Sequence, residues 1–288
     1  MILFPRAPDQ HKEGKPLVPN GLGVIFVLFT TVYLFIIYFT GIVAPINNVS
    51  APLTLAVCVL FGGFMGLLDD WIDLKWRYKA FMPLIAALPL IYFVSSSGLR
   101  TSISLPFLGA IQFNEMYYFF IIPLIVMIVT NTINQLGGLN GLETICPAIV
   151  LTGLILLSSS YILMLGPLLV WLILAILNFQ GKIFVGNTGS FAIGMTIASF
   201  AIITDLKSSL IISILPFVFN STLILLTIFL IRKRACVSFD GKKLFSQHKR
   251  SLVTLITFKR YLTERQVVII ISSFVFSFTI FSIILEII

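Results

Sequence analysis

Two adjacent carboxylates, Asp69 and Asp70, close an apolar run in GLLDDWIDLKWRYK. At the edge of an apolar segment such a pair is disfavoured by lost hydration and mutual repulsion unless a positive group joins it. Mg²⁺ bridging to a substrate phosphate meets that need, because this hard cation takes one or two carboxylates and fills its shell with phosphate oxygens. Asp73, Lys75, Arg77 and Lys79 follow within one short loop. An ordinary solvated loop at a helix end accounts for the same residues without any ligand.

Three further segments carry polar groups where apolar ones would be expected. In NTINQLGGLNGLE, Asn131, Asn134, Gln135 and Asn140 surround Gly137, Gly138 and Gly141, with Glu143 at the end. Carboxamides donate and accept together, which suits a base, a ribose or an acetamido group, and glycine permits tight turns and close backbone approach. Helix packing through small residues and Asn hydrogen bonds is the alternative. In KIFVGNTGSFAIG, Lys182 precedes Gly186, Asn187, Thr188, Gly189 and Ser190. Free N–H groups at such a helix start hold an anion, while Asn or Ser there also caps a helix with no ligand. No Gly-Lys-Ser/Thr occurs, so this is not a Walker A loop. The last segment, 232–265, is strongly basic. Arg232, Lys233 and Arg234 abut an apolar run and suit topology or lipid headgroups, whereas His248, Lys249 and Arg250 lie further out and suit a pyrophosphate.

These groups must be positioned inside a membrane. Of the 288 residues 58% are apolar and only 10% charged, with a mean hydropathy of +1.08. Soluble domains carry about 25% charged residues, so a soluble fold is excluded, as are disordered, collagenous and disulfide-framework classes. A spanning helix needs about 20 apolar residues. Nine segments approach this, roughly 22–44, 51–68, 80–95, 115–133, 142–159, 161–179, 190–204, 208–231 and 266–288. Among them 80–95, 142–159 and 190–204 are short or broken by Pro or Gly. Runs such as Leu210 to Ile231 do not alternate, which excludes a β-barrel and predicts an all-α polytopic bundle.

Placing the N-terminus inside puts all but two of the 19 Lys and Arg residues, Arg100 and Lys207, into 1–21, 69–79, 134–141, 180–189 and 232–265. That obeys the positive-inside rule, so the net charge of +8 records topology and not a nucleic-acid partner. Residues 1–21 lack the apolar core of a secretory signal, and insertion is expected to be directed by the first span. The scattered Cys58, Cys146 and Cys236 and the two histidines offer no zinc spacing. All four polar segments fall on the same, cytoplasmic side. Carboxylates, carboxamides, a Gly-rich anion turn and basic side chains on one membrane face describe a place where a phosphorylated soluble donor meets a lipid.

With PDQHKEGKPLVPNGLG, GLLDDWIDLKWRYKAFMPLIAALPL, NTINQLGGLNGLE, NFQGKIFVGNTGSFAIGM and SLVTLITFKRYLTERQ in that order, the chain resembles the polyprenyl-phosphate N-acetylhexosamine-1-phosphate transferases. It looks nearest to their eukaryotic and archaeal branch, with Gly137 and Asn140 where bacterial members carry Asp. The resemblance implies one membrane transferase domain over 1–288 with a cytoplasmic basic loop at 232–265. It implies Mg²⁺-dependent transfer of GlcNAc-1-phosphate from UDP-GlcNAc to dolichyl or polyprenyl phosphate, the first step of lipid-linked oligosaccharide assembly for N-glycosylation. By motif, Asp69, Asp70 and Lys79 are catalytic. Asp69, Asp70, Asn134 and Asn187 lie at the metal, and Asn134, Asn140, Glu143, Asn178, Lys182, His248 and Arg250 contact substrate.

Two departures from the family pattern stand out. Asn187 occupies a position where the family carries an Asp that binds the metal, so weaker Mg²⁺ binding is expected. Members also carry a span before PDQHKEGKP, so the chain is expected to have one helix fewer than the usual ten. Another UDP-hexosamine, an undecaprenyl acceptor, a weakened lipid-phosphate-binding scaffold and, less favoured, a transporter are the alternatives. The short loops point to an archaeal cell membrane, with the endoplasmic reticulum for a eukaryotic source, and the assembly is either a monomer or a homodimer.

Overall fold

The computed structural model describes residues 4–105, 109–233 and 235–287; Arg234 of the basic loop lies outside them. The helices are α1 (Gly23–Thr40), α2 (Ala51–Ile72), α3 (Trp76–Ala86), α4 (Leu88–Ser97), α5 (Ile122–Gln135), α6 (Leu142–Leu157), α7 (Ile162–Phe179), α8 (Gly186–Ile203), α9 (Lys207–Ser213), α10 (Leu215–Leu226), α11 (Leu252–Ile256) and α12 (Glu264–Ile287). Single π-helical turns extend α5 at its start (Tyr117–Ile121) and α10 at its end (Thr227–Ile231).

Each of the nine expected spans has a helical counterpart, but not all are of spanning length. Among the described residues seven helices are long and apolar enough to cross a membrane, and Lys207–Ser213 with Leu215–Ile231, bent by 53°, makes an eighth. The expected span 142–159 is corrected to a 16-residue helix, begun by Gly141 at φ +106° and ended by extended Ser158. Prolines mark the other breaks. Pro89 and Pro216 sit in the first turns of α4 and α10, where a missing N–H is tolerated but a continuous preceding helix is not. The protein is a multi-pass membrane helix bundle. Among the described residues three two-stranded antiparallel pairs decorate it: β1 (Arg6–Pro8) with β2 (Leu17–Pro19), β3 (Ser102–Leu105) with β4 (Gly109–Gln112), and β5 (Ser238–Phe239) with β6 (Leu244–Phe245).

Helix α8 is the axis of the bundle. It is 89% buried, whereas the other spanning helices are between 33% and 61% buried. Its sequence, GNTGSFAIGMTIASFAII, is rich in small residues, and small residues let helices in lipid approach closely. Gly62 of α2 packs against Met195 and Phe191, and Gly66 lies against the Asn187 carbonyl, where any Cβ would overlap it. Exposed apolar side chains such as Phe64, Leu169, Ile173 and Phe276 cover the lipid-facing surface.

The bundle has two polar ends. The ends of α2, α5, α7 and α10 meet the starts of α3, α6, α8 and α12 at one face. At the other, Asp205 pairs with Arg100 and with Lys207 at 2.7 Å, and Ser209 donates to Glu286 at 2.7 Å. The two basic residues set apart by the charge count thus meet at the opposite end from the acidic pair. The first hairpin is tied to the segment before α8, with Phe184 N–H donating to the Pro19 carbonyl at 2.8 Å and Leu22 N–H to the Phe184 carbonyl at 3.2 Å.

Candidate functional site

The acidic pair divides its work. Asp70 reaches from α2 to the start of α8. Its Oδ1 accepts from the Asn187 N–H at 2.9 Å, and its Oδ2 accepts from the Thr188 N–H at 2.9 Å and the Thr188 hydroxyl at 2.7 Å. The first N–H groups of a helix lack intrahelical partners, and a carboxylate there satisfies them and opposes the helix dipole. Gly186, at φ +71°, leaves the room this needs, since a Cβ there would come within 2.8 Å of Asp70 Oδ2. The two acids, expected together at the metal, thus have different partners in the fold. Asp70 is a cap supplied by another helix, with most of its lone pairs engaged.

Asp69 is the acid left with a free oxygen. It is buried, its Oδ1 is 2.8 Å from Lys79 Nζ, and it accepts from the Leu74 N–H at 3.0 Å. Its Oδ2 is buried with no hydrogen-bond partner. An unpaired buried carboxylate oxygen is costly, so it marks a position for a cation or a proton. Lys79 also reaches Asp73 at 3.4 Å.

Asn134, at the end of α5, donates to the Asn187 side-chain oxygen and to the Ser190 hydroxyl, both at 2.8 Å. Glu143 lies within hydrogen-bonding reach of Ser190 and feels the charge of Asp70. The turns before α6 and α8 therefore face each other beside the acidic pair. Among the described residues no three His, Cys, Asp or Glu side chains are grouped to hold a metal ion. The donors present fit a hard cation that takes its remaining ligands from phosphate: Asp69 Oδ2 and the carboxamide oxygens of Asn134 and Asn187.

Asn140 and Asn178 organise the turn before α6. Asn178 is buried, and its carboxamide is engaged by protein: Oδ1 accepts from Gly141 N–H at 2.8 Å and Thr144 at 3.1 Å, and Nδ2 donates to the Ile183 carbonyl at 2.8 Å. Asn178, expected to contact substrate, thus ties the turn before α6 to the segment before α8. Asn140 is 4% exposed and is held by Asp9 and Glu264.

The basic candidates lie further out. Lys182 is exposed at the turn after α7. His248 sits beside Ser246, and partial burial, with the neighbouring Arg250 charge, holds its imidazole below the ordinary range. Neither His248 nor Arg250 is linked by a described bond to the acidic pair. A cleft of about 390 Å³ lies between Gln10 and His11, the 135–139 turn, Asn220, residues 235–237, and Ser251, Val253 and Thr254. Asp9, Lys12 and Glu264 were assigned no role from the sequence. Their signal in the sequence is membership of two segments that carry the resemblance, PDQHKEGKPLVPNGLG for Asp9 and Lys12 and SLVTLITFKRYLTERQ for Glu264.

Residues 52–205 match the family described as Glycosyl transferase family 4. The chain is 30% identical over 291 residues, covering 96% of it and 87% of the relative, to a Saccharolobus solfataricus protein with the provisional name UDP-N-acetylglucosamine–dolichyl-phosphate N-acetylglucosaminephosphotransferase. It is 26% identical to the Saccharomyces cerevisiae protein of that name, covering 74% of the chain and 58% of the relative. It is 28% identical to a Clostridioides difficile phospho-N-acetylmuramoyl-pentapeptide-transferase, covering 69% and 64%.

Proposed function

Because the chain belongs to glycosyl transferase family 4, we propose that it transfers GlcNAc-1-phosphate from UDP-GlcNAc to dolichyl or another polyprenyl phosphate, releasing UMP. The observation that carries this reading is the near full-length likeness to the Saccharolobus solfataricus relative, which spans all four polar segments. The setting agrees with it: polar side chains gathered at one end of a membrane bundle suit a soluble donor and a lipid acceptor.

Asp69 and Lys79 are the reacting pair in this reading. The lipid phosphate has a second pKa near ~6, so at neutral pH it is largely dianionic and attacks the donor's β-phosphorus directly. Lys79 draws the phosphate in and holds Asp69 Oδ1. Asp69 Oδ2, buried and without a hydrogen-bond partner, then accepts the residual proton of the lipid phosphate. Bound Mg²⁺ would neutralise the pyrophosphate and the departing UMP, held by Asp69, Asn134 and Asn187. Asp70 keeps the Asn187–Thr188 turn in register. Asn140 and Glu143 face the donor, and Lys182, His248 and Arg250 supply charge and hydrogen bonds at the rim. The face lies in the cytoplasm, as the distribution of basic residues favours.

The test uses purified full-length protein with labelled UDP-GlcNAc, dolichyl phosphate and Mg²⁺. Label that moves to the organic phase, with UMP formed in equal amount, supports the reading. No transfer with any polyprenyl phosphate favours a binding or scaffolding role.

A further inference from the structure

Helix α11 presents two different faces. Ser251, Val253 and Thr254 line the 390 Å³ cleft beside the 135–139 turn, whereas Leu252, Leu255 and Ile256 line a separate groove of about 420 Å³ against α10 and α12. That groove is apolar, with exposed Phe219, Leu255, Ile270 and Phe274 along it. On α12 it runs from Ile270 to Ser277, ~10 Å at 1.5 Å per residue, and it begins more than a turn beyond Glu264 at the polar face. Exposed apolar side chains at that depth border lipid acyl chains and not water.

Basic side chains crowd the polar end of the same groove. Lys249 Nζ lies 4.7 Å and Lys259 Nζ 5.5 Å from the centre of the Phe258 ring. The Phe258 N–H donates to the Leu255 carbonyl at the end of α11, and the Lys259 N–H donates to the Ser246 carbonyl at 2.9 Å, which fixes the backbone there. Among the described residues no acid pairs with Lys249, Lys259 or Arg260. The acids of segment 232–265 are engaged elsewhere: Asp240 accepts from the Lys242 and Lys243 N–H groups, and Glu264 accepts from Asn140. Two ammonium groups drawn to one ring repel each other, and a shared anion offsets that repulsion.

We propose that this groove binds an anionic phospholipid of the surrounding bilayer, with an acyl chain against Phe219, Ile270 and Phe274 and the phosphate held by Lys249 and Lys259. Basic groups beside a membrane helix recognise acidic headgroups in this way. A zwitterionic lipid fits the apolar part equally well but brings a second positive charge to the lysines. The bound lipid steadies α11 and with it one wall of the cleft. The link is direct: Leu252 N–H donates to Asn220 Oδ1 at 2.9 Å, and Asn220 Nδ2 donates to the Gln135 carbonyl at 3.3 Å. This lipid is not a reactant, since none of the groove's lining residues belongs to the proposed reaction.

The experiment counts retained lipid by native mass spectrometry of the full chain, released from micelles holding equal amounts of dioleoyl phosphatidylglycerol and dioleoyl phosphatidylcholine. Wild type is expected to retain one phosphatidylglycerol about tenfold or more in preference to phosphatidylcholine, at roughly fivefold per basic side chain. Lys249→Ser combined with Lys259→Ser should bring the ratio to within about twofold. Ser277→Phe, which fills the groove, should abolish retention of either lipid. Lys242→Ser combined with Lys243→Ser removes the same charge from the β5–β6 turn and should leave the ratio unchanged. Both lipids compete for one folded sample, so a variant's own loss of stability does not move the ratio, and the single lysine variants decide the matter if the double does not fold. No preference in wild type, an unchanged ratio in the Lys249 and Lys259 variants, retention that survives Ser277→Phe, or an equal loss in the Lys242 and Lys243 variant overturns the proposal. Mole-for-mole displacement of the phospholipid by undecaprenyl phosphate does so too, because it marks the groove as the acceptor's own.

Discussion

The Asn134 side chain donates to the Asn187 side-chain oxygen at 2.8 Å, joining the end of α5 to the first turn of α8. Both partners are neutral, so a cation here receives dipoles but no charge from this pair. Asn187→Asp adds a full negative charge beside the proposed metal position. The Mg²⁺ concentration for half-maximal transfer is expected to fall by about tenfold, equivalent to ~1.4 kcal/mol. A magnesium titration of turnover checks this, and an unchanged midpoint removes residue 187 from the metal.

Asp69 and Lys79 are expected to respond differently to substitution. Asp69→Asn keeps the shape and removes the charge, and transfer should drop by about 10²–10⁴-fold, the usual range for a lost catalytic proton or charge partner. Lys79→Met leaves the buried Asp69 carboxylate unpaired. It should lower stability by about 1–2 kcal/mol, less than for a fully buried pair because Lys79 is partly exposed. Thermal unfolding in detergent, alongside turnover, separates the two effects.

The capping role of Asp70 predicts a result at its partner. Thr188→Val removes one of three hydrogen bonds to that carboxylate. Stability should fall by about 1 kcal/mol, and turnover should fall several-fold as the Asn187 turn loosens. An equal loss in Thr188→Ser, which keeps the hydroxyl, would point to side-chain packing instead of the hydrogen bond.

The opposite face provides a control. Lys207 is buried, paired with Asp205, and set over the Tyr117 ring at 4.7 Å. Lys207→Met should destabilise the bundle by about 2–4 kcal/mol. Turnover per folded molecule should stay unchanged, because this cluster lies at the far end of the helices. Fluorescence-detected thermal stability together with specific activity checks both parts.

The sequence revealed those parts of the fold that depend on local pattern. Apolar runs located the helices, and prolines in the first turns of α4 and α10 explain two of the breaks. The Asp69–Asp70 pair and the carboxamide turn were conspicuous because polar groups are rare in this chain. The division of labour within the pair was not legible. It depends on α2 packing so closely against α8, through Gly62 and Gly66, that Asp70 meets the Asn187 and Thr188 N–H groups. Asn178 stands out in the sequence only through its motif, because its partners Gly141, Thr144 and Ile183 lie on separate segments that no local pattern connects. The Asp9–Asn140–Glu264 clamp joins residues 131 and 124 positions apart, a separation over which no local pattern operates.

In the proposed reaction a phosphoryl-linked sugar moves as a unit onto a lipid phosphate. UDP-GlcNAc labelled with ³²P at the β-phosphate and ³H in the sugar tests this with purified protein, Mg²⁺ and dolichyl phosphate. Both labels are expected in the lipid fraction in equal molar amounts, with UMP as the soluble product and the signal lost in Asp69→Asn. Tritium alone in the lipid with UDP released, or neither label in the lipid, would contradict it.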